Sequence, residues 1–124
     1  KPGSLYKWGL HDRAPMNKWS QGRFSLLGDA AHPMLPFVAQ GAAMAIEDGI
    51  VLASSLSSFD NVELGLNDYE KKRKYRTAKA QRTATRNATI FHLSGFFAIF
   101  RNLIMKFFIK KIMDSFYKYD AISK

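Results

Sequence analysis

The stretch from Gly28 to Asp48 constrains this chain more than any other. A short apolar run, Phe24 to Leu27, leads into it, and an Ala-rich helical pattern leaves it. Between them lies a loop with one acidic side chain, Asp29, two prolines, Pro33 and Pro36, and a glycine, Gly41. Strand, acid-bearing loop and small-residue helix start form a geometry suited to a polar cofactor. The acid accepts hydrogen bonds from hydroxyl groups. The first helical turn presents N–H groups that have no intrahelical acceptor and carry the positive end of the helix dipole.

Gly28, Asp29 and Pro33, followed by Gln40, Gly41, Ala42 and then Glu47 and Asp48, resemble the second flavin-binding motif of the FAD-dependent aromatic hydroxylases. These are single-component flavoprotein monooxygenases, and the salicylate hydroxylase-like branch matches best. The resemblance implies the cofactor FAD, with NADH or NADPH as transient reductant, O2 as co-substrate and a small aromatic substrate. It assigns cofactor binding to Gly28, Asp29, Pro33, Gln40, Gly41, Ala42, Ala43 and Met44. Asp29 would reach the ribityl or pyrophosphate region, and the helix start would face the N1–C2=O edge of the flavin. Met34, Pro36 and Phe37 would lie next to substrate and shield the ring from water. His32 and Pro33 would line the flavin loop, with His32 orienting the loop rather than acting as a base, so no residue is assigned a catalytic role with certainty.

The implied fold is α/β, the C-terminal fragment of an FAD/NAD(P)-binding Rossmann-like flavoprotein. This piece would be mostly helical, with one or two short strands before the first helix. The Gly-rich fingerprint of a dinucleotide site, Gly-x-Gly-x-x-Gly, is absent, because the glycines fall at 3, 9, 22, 28, 41, 49, 65 and 95. The missing N-terminal part of the same protein is therefore an expected partner, and the fragment alone is expected to be inactive. Residues 1–58 are read as the strands, flavin-contacting loop and helix, and residues 59–124 as a helical region packing on them.

Along the chain, Tyr6 to Leu10 alternates like a half-buried strand, and Asp12-Arg13-Ala14-Pro15 ends it with turn chemistry. Trp19 to Arg23 is a second turn, and Phe24 to Leu27 a second strand. Ala42 to about Leu56 is helical. Glu47, Asp48, Ser54 and Ser55 share a stripe and apolar residues cover the rest, which predicts a helix buried on most sides. Asp60 to Glu63 and Asn67 to Glu70 both look like capping boxes. A long basic helix is expected from Asn67 toward Thr89, and its pattern Leu66-x-x-Tyr69-Glu70-x-x-Arg73-x-x-Arg76 resembles a structural helix of the same family.

Gly95 sets off an amphipathic tail, Phe96 to Tyr117, expected to pack on that long helix. His11 and His92 are read as structural. Zero cysteines exclude disulfides and thiolate metal sites and fit a cytoplasmic protein, and no metal-ligand constellation is visible.

The formal charge of +9 raises nucleic acid or anionic membrane as partners, but most of it lies after residue 70, away from the motif. The basic helix lacks interleaved aromatics or a reading motif, so no nucleic acid is expected. The tail is too often interrupted by charge to span a bilayer. Two other functions remain open from residues alone: a non-catalytic FAD-binding remnant, and a basic amphipathic adaptor for membrane or nucleic acid.

Overall fold

In the computed structural model, residues 3–4 and 6–121 are described; within the last helix the side chains of 108, 109, 111–113 and 115 are not. The expectations for Phe108, Ile112 and Met113, and for the last three residues, lie outside that range.

Two short strands, β1 (Ser20–Gln21) and β2 (Phe24–Ser25), form an antiparallel hairpin with Ser20 opposite Ser25 and Gln21 opposite Phe24. Gly22 turns the chain at φ +55°, a conformation that only glycine adopts cheaply. Two 3-10 turns follow, Gly28–Ala30 and Pro36–Val38. Then come helices α1 (Gly41–Ser57), α2 (Val62–Phe91) and α3 (Gly95–Tyr117).

Tyr6 to Leu10 is not a strand. A strand needs a neighbour for its N–H and C=O groups, and the one sheet among the described residues is the short hairpin. Tyr6, Trp8 and Leu10 are all exposed. The second expected strand shrinks to Phe24–Ser25 for the same reason.

α1 and α2 match the expected helices closely. α2 begins earlier than expected, because Asn61 is its cap: the side-chain oxygen accepts the Glu63 and Leu64 amides at 2.8 and 3.3 Å. The second apparent capping box is helix interior, and its Asp68 accepts the Ser55 hydroxyl at 2.7 Å instead. Gly65 lets the two helices approach, since a Cβ there would lie 3.2 Å from the Ser55 carbonyl oxygen.

The face that α1 turns inward is mixed: Met44 and Val51 are buried together with two residues of the polar stripe. Asp48 and Ser55, from the polar stripe, are fully buried, whereas Ile46 is 67% exposed. The helix is not apolar-buried on most sides; its polar stripe meets polar partners on α2.

The core has two parts. Trp19, Ala31, Val51 and Tyr69 pack behind the hairpin, and Val38, Met44, Ala80, Ala84 and Phe116 pack behind the second turn. Among the described residues, Phe116 is where α3 enters the core. Otherwise the tail packs less than expected: Phe96, Phe97, Ile99, Phe100, Leu103 and Phe107 are exposed. Phe96, Phe100, Leu103 and Phe107 fall on one stripe, at i, i+4, i+7 and i+11, that the described residues leave exposed. No helix among the described residues is long and apolar enough to cross a membrane.

Candidate functional site

The loop between β2 and α1 is built by local chemistry and held from outside. The Gly28 carbonyl accepts the Ala31 and His32 amides, each at 2.9 Å, closing the turn that carries Asp29. Gly28 has φ +59°, and a Cβ there would come within 3.3 Å of the Ala45 Cβ, so the turn lies flush on α1. Arg13 Nη2 donates to the Ala30 carbonyl at 2.8 Å. Gln81 of α2 donates to the Pro33 carbonyl at 3.0 Å, and Asn87 to that of Phe37 at 3.2 Å. Glu70 of the same helix accepts the Trp19 and Ser20 amides at 3.0 and 2.9 Å. The long helix thus fastens both the hairpin and the loop by its side chains.

Beneath the loop is a buried ion cluster. Asp48 Oδ1 accepts Arg73 Nε at 2.7 Å, and Oδ2 lies 2.6 Å from His32 Nε2 and 3.1 Å from the Gly28 nitrogen. Arg73 Nη1 is 2.7 Å from Glu47 Oε2, an ion pair without hydrogen-bond geometry. Glu47 also receives Arg76 in a two-pronged contact at 2.6 and 2.7 Å. The Arg76 guanidinium lies 3.9 Å from the centre of the Tyr119 ring.

Burial pushes the Asp48 carboxyl up. The bonds from His32 and Arg73, the charge of His32 and the Gly28 amide overcome this and hold it below the ordinary carboxylate range. Tyr69 is shifted up by burial, and the Asp48 charge adds to this.

With its folded pKa below the unfolded value of about 3.9, Asp48 adds stability that is fully present above about pH 4 and lost as pH falls through the folded value. The urea midpoint should fall on acidification below about pH 4, and less steeply in Asp48→Asn. An identical pH dependence in that variant would remove Asp48 from the account.

The expected site residues divide. Asp29 is exposed and has no side-chain partner among the described residues. Gln40 makes no capping bond to α1, and the first turn holds no acidic side chain. The first bond of the ladder there is Met44 N–H to Gln40 oxygen at 2.8 Å, which leaves the Gly41, Ala42 and Ala43 amides ahead of it. Gly41 has no positive φ, and a Cβ there would meet only Met34 Cγ at 3.9 Å, so this chain does not itself require glycine at that position.

Met44 is in the core, fully buried. His32 is also fully buried, with its Nδ1 unpartnered among the described residues. It holds the loop, through Asp48 rather than through the neighbouring Asp29.

Phe37 stacks edge-on against Phe91 and His92 at 6.0 and 5.9 Å. With Pro36 it lines a groove of about 620 Å³ between α2 and α3, whose walls include Ile90, Phe100 and Ile104. Gly28, Asp29 and Gly41 are not among the residues that line it. His11 is exposed. No group of His, Asp and Glu among the described residues is arranged to hold a metal ion.

From sequence, Arg73 is named only as part of the long-helix pattern and is assigned no place in the site. A signal was present: Leu66, Tyr69, Arg73, Thr77, Ala80 and Ala84 are spaced by three and four and are all buried, so Arg73 sits in the middle of a core-facing stripe.

Residues 1–84 match the FAD binding domain family. The chain belongs to that family. Over 107 residues this FAD binding domain is 46% identical to 3-hydroxybenzoate 6-hydroxylase 1 of Aquipseudomonas alcaligenes, covering 85% of the chain and 27% of that protein. It is 52% identical over 83 residues to 6-hydroxynicotinate 3-monooxygenase of Pseudomonas fluorescens, covering 65% and 22%. A solved salicylate hydroxylase substrate complex superposes with a TM-score of 0.74 at 27% identity, covering 92% of this chain and 29% of that one. The fold is thus that of the salicylate hydroxylase over the shared region. The chain spans between 22% and 33% of the length of the curated relatives it matches.

The residues present fit FAD. A polar cofactor with sugar hydroxyls and an electron-accepting ring calls for a free acceptor beside free donors. Asp29 supplies an unpartnered carboxylate, on a turn whose Gly28 amide is bonded to Asp48 of α1, and the uncapped start of that helix supplies donors.

Proposed function

We propose that this chain is the flavin-contacting C-terminal part of a longer aromatic hydroxylase that uses FAD, NADH or NADPH, and O2 to hydroxylate a salicylate-like substrate. Two observations support the reading: the Asp29 carboxylate is exposed and unpartnered among the described residues, and α1, against which its turn packs at Asp48, is uncapped at its start. Residues 1–58 form the flavin-contacting unit, and residues 59–124 the helical region that braces it.

FAD, when bound, supplies the redox chemistry and the activation of oxygen. Asp29 accepts a cofactor hydroxyl, and Gly28 brings the backbone close. The amides of Gly41, Ala42 and Ala43 favour negative charge on the ring, and Gln40 and Met44 seat the helix that carries them. Pro33, which has no N–H, lets the loop pass the ring without an unmet donor. Met34, Pro36 and Phe37 would help to exclude water from the bound cofactor.

The exposed apolar residues Ile46, Phe96, Phe100 and Phe107 are surfaces for the rest of the longer protein. The reading includes a cytoplasmic enzyme without a nucleic-acid partner. Its basic helix is engaged in the fold through Arg73, Arg76, Gln81 and Asn87.

Purified full-length protein should be yellow with bound FAD, and its NADH or NADPH oxidation should rise, with O2 uptake, on addition of salicylate or a hydroxybenzoate. Flavin-loaded protein that no aromatic acid stimulates would point to a catalytically idle flavoprotein.

A further inference from the structure

One carboxylate oxygen grips both ends of the turn that carries Asp29. Asp48 Oδ2 is 3.1 Å from the Gly28 nitrogen and 2.6 Å from His32 Nε2, while Asp29 and Ala30, between these holds, are exposed. The other oxygen takes Arg73 Nε at 2.7 Å. Asp48, His32 and Arg73 are all fully buried, so water does not compete for these bonds. Facing a carboxylate, His32 donates through Nε2, and its Nδ1 has no partner among the described residues. Trp19 packs against the His32 ring, with centroids 5.5 Å apart, which fixes the direction of that donor.

We propose that Asp48 and His32 are positioning residues for FAD: their shared hydrogen bond, braced by Arg73, sets the place and direction of the Asp29 carboxylate. This rests on the reading of Asp29 as the acceptor for a cofactor hydroxyl. A carboxylate on a free turn would lose conformational freedom when it bound its ligand. Here that freedom is removed on folding, by a bond that never meets the ligand.

The test is titration of FAD into the full-length apoprotein, followed by flavin fluorescence. His32→Leu should weaken FAD about tenfold, the scale of one hydrogen bond to a charged group. His32→Gln, which restores a donor at similar reach, should stay within about threefold of wild type. Asp48→Asn keeps the shape and removes the charge; as a second variant it should also weaken FAD by about tenfold.

Ser55→Ala removes a different buried bond of α1, the one to Asp68, and should leave FAD affinity unchanged. A purely structural role for His32 would give losses that add to those of Asp29→Ala. Positioning predicts instead that Asp29→Ala with His32→Leu binds no worse than Asp29→Ala alone.

Wild-type affinity in both His32→Leu and Asp48→Asn, additive losses, or an equal loss in Ser55→Ala would overturn the proposal. Wild-type affinity in Asp29→Ala would instead show that the reading beneath it is wrong, and the proposal would fall with it.

Discussion

Arg73→Met should lower the stability of the protein by about 3–5 kcal/mol, the scale for removing one partner of a buried ion pair. Arg73 is fully buried, and its guanidinium holds Asp48 through Nε at 2.7 Å, approaches Glu47 through Nη1 at 2.7 Å, and reaches the Met44 carbonyl through Nη2 at 3.3 Å. Methionine fills much of the space but leaves the Asp48 charge with only His32 and the Gly28 amide. Glu47 suffers less, because Arg76 still grips it with both prongs.

Arg73→Lys should recover only part of the loss, since an ammonium is a point charge and cannot serve two carboxylates in the plane of a fork. Lys72→Met is the comparison on the same helix. Its pair with Asp68, at 2.8 Å, is partly solvated and should be worth under about 1 kcal/mol. Urea denaturation of the three variants checks the order. A loss in Arg73→Met no larger than that in Lys72→Met would mean that the buried cluster is not what joins α1 to α2.

Asp29→Ala should have the opposite profile, leaving stability alone and damaging the cofactor site. The side chain is exposed and has no partner among the described residues, so its removal should change unfolding by no more than about 0.5 kcal/mol. If it accepts a hydroxyl of FAD, its loss should weaken FAD by about 1.5–3 kcal/mol, the range for a bond to a charged group. That is roughly a tenfold to 150-fold rise in Kd. Asp29→Asn, which keeps an acceptor but not the charge, should fall between the two. Absorbance after extensive dialysis and titration of the apoprotein both report it. A variant that stays fully loaded with flavin would place the hydroxyl acceptor elsewhere.

Local order was legible where local chemistry decides it. The loop after Gly28, the helix from about Ala42 and the body of the long helix follow from glycine and proline, caps and spacing within a few residues, although the long helix starts at Val62 and not at Asn67. The Tyr6 to Leu10 segment has the alternation of a strand and is not one, because alternation describes side chains and a strand also needs a hydrogen-bonding neighbour. Phe96 to Phe107 has enough apolar residues for a packed helix, but their number says nothing about which surface receives them.

The sequence by itself determined the strand–loop–helix unit and the family, because both rest on residues close together in the chain. Only the tertiary structure decided that α1 buries Asp48 and exposes Ile46. That choice depends on Arg73, 25 residues away on another helix, whose charge makes a carboxylate the better group to bury. Hydrophobic periodicity counts the cost of burying a charge but cannot see the partner that offsets it.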